Sequence, residues 1–305
     1  MEIVYLDENT QLNNDVSIVS AIGFFDGLHL GHMALVDRVI EVADKKGCKK
    51  ALMTFDHHPL YVLGRMSKDY YLTSMMDRKH ILKNKGIDYL FVIKFSKQVA
   101  GLSPKDFIET YLIRLNIHHV VCGFDFHFGS KNSGNSETLK TYNPSILKVD
   151  VIDEVLYLNE KISSTRTRKA IEDGDMRLAA MLLNRFYKIT GTVIDGRKLG
   201  RKLGFPTANI NYGSYLLPAI GVYAVYVYID NKKYLGMCNV GHNPTVGTLE
   251  KRSVEVHIID FDEKIYDKIV EIEFIEKTRG EVHFKSQDEL IQQLKKDKES
   301  IKNHF

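Results

Sequence analysis

The sequence predicts an α/β protein with a doubly wound parallel sheet, followed by an antiparallel β part and a terminal helix. Two observations carry this prediction. Between residues 16 and 183, apolar strand-like stretches alternate with stretches of helical periodicity, the pattern of a parallel sheet covered by helices. From residue 187, strand-like stretches follow one another without helices until 288–300, which is typical of an antiparallel barrel or sandwich.

Bulk composition is that of an ordinary globular protein. The 305 residues are 44% hydrophobic and 27% charged, which allows two domains with cores of their own. A net charge of +3 is too mild to indicate nucleic-acid binding and is compatible with anionic small molecules. No apolar run reaches the length of a membrane span, and residues 1–8 lack the pattern of a signal peptide. Three scattered cysteines suit a reducing compartment, so we expect a cytoplasmic protein.

In the first part of the chain, β-branched and apolar residues indicate the strands, and apolar spacing of three or four indicates the helices. A helix that starts near Ser103 also has a capping hydroxyl, followed by Pro104 at its first position. The predicted strands are 16–22, 50–55, 89–95, 119–122 and 146–152, and further helical stretches are 35–43, 72–84, 169–172 and 176–183.

Composition changes after the last of these helices, so we divide the chain into residues 1–185 and 186–305. Alternating apolar residues predict the strands of the second part, and apolar Leu290, Ile291 and Leu294 give its final helix one inward face. The predicted strands are 187–194, 221–229, 254–261 and 269–274.

The turn between the first strand and the first helix carries the chemistry of the N-terminal part. Gly23, Gly27 and Gly31 let its backbone approach a ligand closely, and the helix N-terminus favours phosphate. His29 and His32 are three residues apart, so they share a helix face on which two imidazoles could stabilise phosphoryl charge. The alternative is that both histidines simply pack or face solvent.

This turn resembles the variant of the HIGH nucleotidyltransferase motif found in bacterial flavin-adenylylating enzymes. The resemblance implies a Rossmann-like nucleotidyltransferase domain that binds ATP and FMN, with His29 and His32 as catalytic residues. The residues that match are Gly23, Phe25, Asp26, Gly27, His29, Gly31 and His32.

Three further segments match the same family. His58 follows the second strand, where the alternative is a plain turn stopped by Pro59, and Asp125 lies in a Gly-x-Asp-Phe-x-Phe-Gly run that could also be an aromatic core plug. The arginines after Ser163-Ser164-Thr165 oppose the helix dipole unless an anion sits there. The resemblance makes Ser163, Ser164, Thr165 and Arg168 phosphate ligands, with Arg166 as a solvated neighbour.

The C-terminal part has its own motif in residues 196–209. Repeated glycines and four basic residues suit a polyphosphate, although a solvated hairpin is the alternative. The ending Gly-Phe-Pro-Thr-Ala-Asn resembles riboflavin kinases, which implies a β-barrel in which Thr207 and Asn209 hold Mg²⁺ and the ATP phosphates. The resemblance also makes Glu255 the base, where the alternative is a surface acid. Its other ATP and flavin ligands are Gly196, Lys202, Gly204, Pro206 and Arg279.

The motifs appear in the order expected for bacterial bifunctional riboflavin kinase/FMN adenylyltransferases, also called FAD synthetases. Three positions depart from that family: His57 replaces a proline, Thr167 an isoleucine and Asn184 a glycine. The resemblance implies ATP, riboflavin, FMN and FAD as substrates and products, with Mg²⁺, and neither nucleic acid nor membrane as partner; a homo-oligomer is left open. Alternatives are a chain with one activity only, another HIGH-type enzyme acting on a pantetheine or nicotinate phosphate, and a non-enzymatic RNA- or flavin-binding regulator.

Overall fold

The computed structural model describes residues 1–10, 16–196, 199–243 and 251–304, with the side chains of residues 199, 202, 243 and 251 outside that description. The chain divides into two compact units, Met1–Ser163 and Ser164–Phe305, which we describe separately. The functional boundary between residues 185 and 186 stays a prediction.

A parallel sheet organises the first unit. Its described strands are β1 (Glu2–Leu6), β2 (Ile18–Ile22), β3 (Lys49–Phe55), β4 (Tyr89–Ile93), β5 (Ile117–Gly123), β6 (His127–Phe128), β7 (Gly134–Asn135), β8 (Lys148–Ile152), β9 (Leu156–Tyr157) and β10 (Glu160–Lys161). Its described helices are α1 (Leu30–Lys46), α2 (Pro59–Val62), α3 (Met75–Asn84), α4 (Lys97–Gly101), α5 (Pro104–Tyr111) and α6 (Ser136–Tyr142). Six of these strands pair in the order β1-β4-β3-β2-β5-β8, and every neighbouring pair is parallel.

The strand order reverses at β2, which lies between β3 and β5. Ligands of open α/β sheets bind beyond the carboxyl ends of the strands at such a switch point. The turn after β2 and the loop after β5 therefore share the place where a ligand is expected. Apolar clusters on both faces of the sheet, one around Phe91 and one around Val36, form the core that fixes these strand ends.

The predicted parallel sheet is confirmed, with corrections at its edges. Strand β1 was not predicted, because four of its five residues are partly buried or exposed and its pattern is short. The helix predicted from Leu72 begins only at Met75, since the backbone amides of Leu72 and Thr73 bind Asp26 instead of joining the helix. Ser103 caps α5 through the amide of Asp106, as predicted.

An antiparallel barrel organises the second unit. Its described elements are α7 (Ser164–Asp173), α8 (Met176–Leu183), β11 (Tyr187–Ile194), α9 (Leu199–Lys202), β12 (Ala208–Asn211), β13 (Gly221–Ile229), β14 (Lys232–Asn243), β15 (Lys251–Ile258), β16 (Ile269–Arg279) and α10 (Gln287–His304). The described strands close in the order β11-β12-β15-β14-β13-β16. Of the two predicted antiparallel architectures, the structure has the barrel and not the sandwich. Helix α10 covers an apolar cluster that includes Met237 and Ile301.

Several local predictions in this unit were wrong. Strands β12 and β14 were missed because they are short or interrupted by Gly236 and Gly241, which leave little alternation. Helix α7 begins at Ser164, so Ser164 and Thr165 belong to its first turn and only Ser163 precedes it. The glycine-rich stretch expected to be a loop contains the helical turn α9. Asn184 is the C-cap residue of α8 and has φ 53°, a left-handed backbone conformation. Glycine, the residue of the family at this position, is the most common residue in such a cap, and asparagine is also found there.

A substitution at Gly191 tests how closely β11 and β12 approach each other. A Cβ at this position would lie 2.5 Å from Ile210 Cγ2 and 2.6 Å from the Asn211 carbonyl oxygen. We expect Gly191→Ala to lower the free energy of unfolding by about 1–3 kcal/mol, because the backbone must shift to admit the methyl group. Urea denaturation measures the change. Gly280→Ala is the matched control, since a Cβ there meets nothing within 4 Å; equal stability of the two variants would contradict the packing described.

Candidate functional sites

The turn after β2 is fixed by a buried carboxylate. Asp26 is 1% exposed, and its Oδ1 accepts hydrogen bonds from the amides of Leu72 (2.9 Å) and Thr73 (3.3 Å) and from Arg78 Nη2 (3.3 Å). The Phe24 carbonyl accepts from Thr54 Oγ1 at 2.7 Å and from Arg78 Nη1 at 3.2 Å. Asp26, predicted as a ligand, therefore holds the turn in place.

The glycines of this turn make room for rings. The backbone is left-handed at Phe25 (φ 52°) and Gly27 (φ 85°), and the Phe25 ring is fully buried. A Cβ on Gly23 would touch that ring at 3.4 Å, and one on Gly31 would lie 3.2 Å from the His29 ring. Gly23 and Gly31 thus let Phe25 and His29 fold back against the backbone.

His29 and His32 lie together at the start of α1. Their rings stack with centroids 3.7 Å apart at 16°, and the Phe25 ring meets His32 edge-on. His29 is the N-cap residue: its Nδ1 accepts the amide N–H of His32 at 3.3 Å. An accepting Nδ1 in a neutral imidazole places the ring proton on Nε2, which is then a donor. The structure thus brings the two predicted catalytic residues together at a helix N-terminus.

His58 and Asp125 occupy the neighbouring loops. His58 caps α2 by accepting the Leu60 amide at 3.1 Å, and its ring lies 4.7 Å from that of Phe24. Asp125 is exposed and pairs with Lys161. His57, which stands where the family has proline, is hydrogen-bonded to Asp69 Oδ2 through Nδ1 at 2.7 Å. The ligand roles of His58 and Asp125 stay predictions.

The first unit contains a cavity that sequence reasoning missed. Its volume is about 580 Å³, and it opens where β3 and β4 end and where the loop after β5 runs. Phe55, Phe95, Phe107 and Phe128 supply aromatic walls, and the lining cations are Arg65, Lys97 and Lys131. These residues lie far apart in sequence, and the sequence signal was limited to the Phe-x-Phe-Gly run that ends in Gly129.

The predicted phosphate-binding hydroxyls lie at the start of α7. Ser163 immediately precedes this helix, Ser164 and Thr165 are its first two residues, and Arg168 follows one turn later. No acidic residue occupies the first turn of α7, an arrangement suited to an anion rather than to the usual Asp or Glu. Because α7 belongs to the second compact unit, its participation in one site with His29 and His32 stays a prediction.

Glu255 is placed by the register of three barrel strands. It pairs with Asn209 of β12 on one side and with Asn239 of β14 on the other. Thr207 Oγ1 donates to Glu255 Oε2 at 3.3 Å. The structure therefore brings together the predicted base on β15, Asn209 on β12 and Thr207 immediately before β12, and it places Asn239 of β14 beside them.

Two cavities meet at Thr207. The first, of about 330 Å³, combines the polar residues Thr207, Asn239, Glu255 and Arg279 with apolar walls from Phe205, Val222, Met237, Phe284, Leu290 and Leu294. The second, of about 350 Å³, is lined by Arg201, Pro206, Thr207 and residues 261–266. The apolar walls of the first suit a planar apolar molecule. Glu255 lines this first cavity and is hydrogen-bonded to Thr207, the residue that both cavities share.

The glycines beside Asn209 set close approaches. A Cβ on Gly196 would overlap the Asn209 side chain, which would then have to move, and Gly204 adopts φ 81°. The Pro206 carbonyl accepts from His257 Nδ1 at 2.9 Å, and burial lowers the pKa of His257. The side chain of the predicted ligand Lys202 lies outside the part of the chain that the structure describes. Residues Arg197 and Lys198 lie outside it entirely.

Comparison with known proteins agrees with these two sites. The family model described as FAD synthetase matches residues 11–166, and the one described as riboflavin kinase matches residues 183–305. A bifunctional riboflavin kinase/FMN adenylyltransferase of Listeria monocytogenes is 39% identical, with 100% of this chain and 98% of the relative covered. The enzyme of the same description from Bacillus subtilis is also 39% identical, over 94% and 92%.

A solved structure shares the whole fold. The crystal structure described as a macrolide-efflux protein from Streptococcus pneumoniae has a TM-score of 0.93 at 33% identity, with 99% of both chains covered. Its description differs from those of the family models and the sequence relatives. In the part of the chain that the structure describes, no helix combines the length and hydrophobicity needed to cross a membrane.

Both family models match in the predicted order, and the full-length relatives carry both activities in their descriptions. The chain belongs to the bifunctional riboflavin kinase/FMN adenylyltransferase family.

Proposed function

We propose that this chain makes flavin cofactors in two steps. The barrel unit phosphorylates riboflavin with ATP to give FMN, and the N-terminal nucleotidyltransferase fold joins FMN to the adenylyl group of a second ATP, giving FAD and pyrophosphate. One observation carries the proposal: each unit has its own cavity and its own pair of residues suited to phosphoryl transfer chemistry, Thr207 with the base Glu255 in one and His29 with His32 in the other.

In the kinase step, Glu255 accepts the proton of the terminal ribityl hydroxyl while that oxygen attacks the γ-phosphorus and ADP leaves. The isoalloxazine ring occupies the apolar cavity and the nucleotide occupies the second one, so the transferred phosphoryl group crosses at Thr207. Arg279, which lines the first cavity, neutralises charge on the transferred group.

The residues around Glu255 fit a magnesium ion. A hydroxyl from Thr207, an amide oxygen from Asn209 and a carboxylate from Glu255 are the hard oxygen donors that Mg²⁺ prefers, and Gly196 leaves space for Asn209. When bound, the ion neutralises phosphate charge. Thr207 and Asn209 are the residues that we propose to hold it, with Gly204, Pro206 and Lys202 shaping the nucleotide loop.

In the adenylylation step, an FMN phosphate oxygen attacks the α-phosphorus of ATP and pyrophosphate leaves. No proton has to be removed from the attacking phosphate, so the protein contributes positioning and charge stabilisation. His29 and His32 donate to the phosphoryl oxygens. Gly27 and Gly31 admit the nucleotide, and Ser163, Ser164, Thr165 and Arg168 hold its phosphates.

We place the flavin of this second step in the cavity of the first unit. Its phenylalanines suit an isoalloxazine ring, and Arg65, Lys97 and Lys131 suit the FMN phosphate. His58 and Asp125, on the loops beyond β3 and β5, flank FMN and ATP.

The proposal requires small-molecule substrates only. Riboflavin, FMN and ATP account for the three cavities described, and neither a nucleic acid nor a membrane takes part. A cytoplasmic location and association of copies of the chain stay predictions.

Replacement of Glu255 tests the kinase step. We expect Glu255→Gln to lower FMN formation from riboflavin about 10²–10⁴-fold, because the amide cannot accept the hydroxyl proton. Chromatography of the products measures it. FAD formation from supplied FMN serves as the internal control and should persist; loss of both activities together would contradict two separable sites.

Replacement of His29 tests the adenylylation step without removing the helix cap. Asparagine is a good N-cap residue but lacks the imidazole. We expect His29→Asn to lower FAD formation from FMN about 10²–10³-fold and to leave riboflavin phosphorylation intact. His80→Asn, at an exposed position of α3, is the matched control. Unchanged FAD formation in His29→Asn would remove this residue from the mechanism.

The flavin cavity of the first unit is tested at Leu63, a partly exposed residue of its rim. We expect Leu63→Glu to raise KM for FMN by about tenfold or more, because a carboxylate repels the FMN phosphate and spoils the apolar wall. Steady-state kinetics of FAD formation measure it, with the exposed Leu158→Glu as control. An unchanged KM for FMN would place the flavin elsewhere.

A further inference from the structure

A buried carboxylate of the terminal helix contacts a cation of the kinase cavity. Arg279 Nε donates to Asp297 Oδ2 at 2.9 Å, and Asp297 is 6% exposed. The other oxygen of that carboxylate, Oδ1, accepts from Gln293 Nε2 at 2.8 Å. Both oxygens are therefore held, and the carboxylate has one orientation from which it binds the guanidinium.

Arg279 is restrained on a second side. Its Nη1 donates to the Gly280 carbonyl at 3.0 Å, and the guanidinium lies 5.9 Å from the centre of the Phe284 ring. A guanidinium has five N–H donors in one rigid plane, so two fixed donors orient the other three. Arg279 also lines the cavity that contains Thr207 and Glu255. Without Asp297, the long side chain would lose this orientation.

We infer that Asp297, supported by Gln293, is a positioning residue that holds Arg279 in its productive orientation, so that α10 takes part in the kinase site. The inference rests on the proposed riboflavin kinase function. It explains why an acid is buried on a helix whose neighbouring positions, such as Lys296, are exposed. A buried ion pair is weak evidence of net stabilisation, which favours orientation as the role of this pair.

The test is a double-mutant cycle on the full-length chain. Asp297→Asn keeps the shape of the side chain but removes its charge, and we expect it to lower kinase kcat about 10- to 100-fold, with little change in KM for riboflavin. In an Arg279→Ala background the same change should cost less than about twofold, because no guanidinium remains to be oriented. A loss of the same factor in both backgrounds would overturn the inference.

Two controls separate positioning from folding and from the proposed function. Asp260→Asn breaks ion pairs to Lys298 and Lys302 of the same helix without contacting Arg279, and it should leave kcat unchanged. FAD formation from FMN should be equal in all variants. If Asp260→Asn lowers kcat as much as Asp297→Asn, the effect is one of helix packing and the inference fails. If the unmodified chain forms no FMN from riboflavin, the proposed function itself fails.

Discussion

The register of β15 between β12 and β14 is the constraint on which the kinase half depends. It sets Glu255 beside Asn209 and Asn239 and within hydrogen-bond distance of Thr207. Since side chains alternate between the faces of a sheet, a slip of one residue would turn Glu255 away from the cavity. Closure of the barrel leaves no edge at which such a slip could be accommodated. Backbone pairing thus fixes the position of Glu255 relative to Asn209 and Asn239.

The N-terminal unit holds its predicted catalytic residues in place by a different kind of interaction. Its predicted catalytic residues, His29 and His32, lie where the turn after β2 enters α1, a place that pairing within the sheet does not fix. A buried ion pair does so: Asp26 and Arg78 join the turn to the residues before α3, and Arg78 also binds the Phe24 carbonyl. The side chains of His29 and His32 have little conformational freedom, because the His29 ring caps α1 and stacks on the His32 ring. Rigid placement matters here, since phosphoryl and nucleotidyl transfer depend mainly on positioning.

Local signals in the sequence predicted much of this. The strand before Gly23, the cap at Ser103 and the strand that carries Glu255 each depend on neighbours a few residues away. The burial of Asp26 and Asp297 could not be predicted, because in each case the carboxylate meets an arginine that is not adjacent in sequence, Arg78 and Arg279 respectively. The cavity between β3, β4 and the loop after β5 likewise depends on which strands become neighbours.

The pairing of two sites on one chain is tested most directly by a time course with the purified, unmodified protein. Riboflavin and ATP with Mg²⁺ are supplied, and FMN and FAD are followed by chromatography. The account predicts that FMN appears first without a lag, that FAD follows after a lag as FMN accumulates, and that pyrophosphate is released in step with FAD. Riboflavin that stays unchanged, or FMN that accumulates without any FAD, would contradict it.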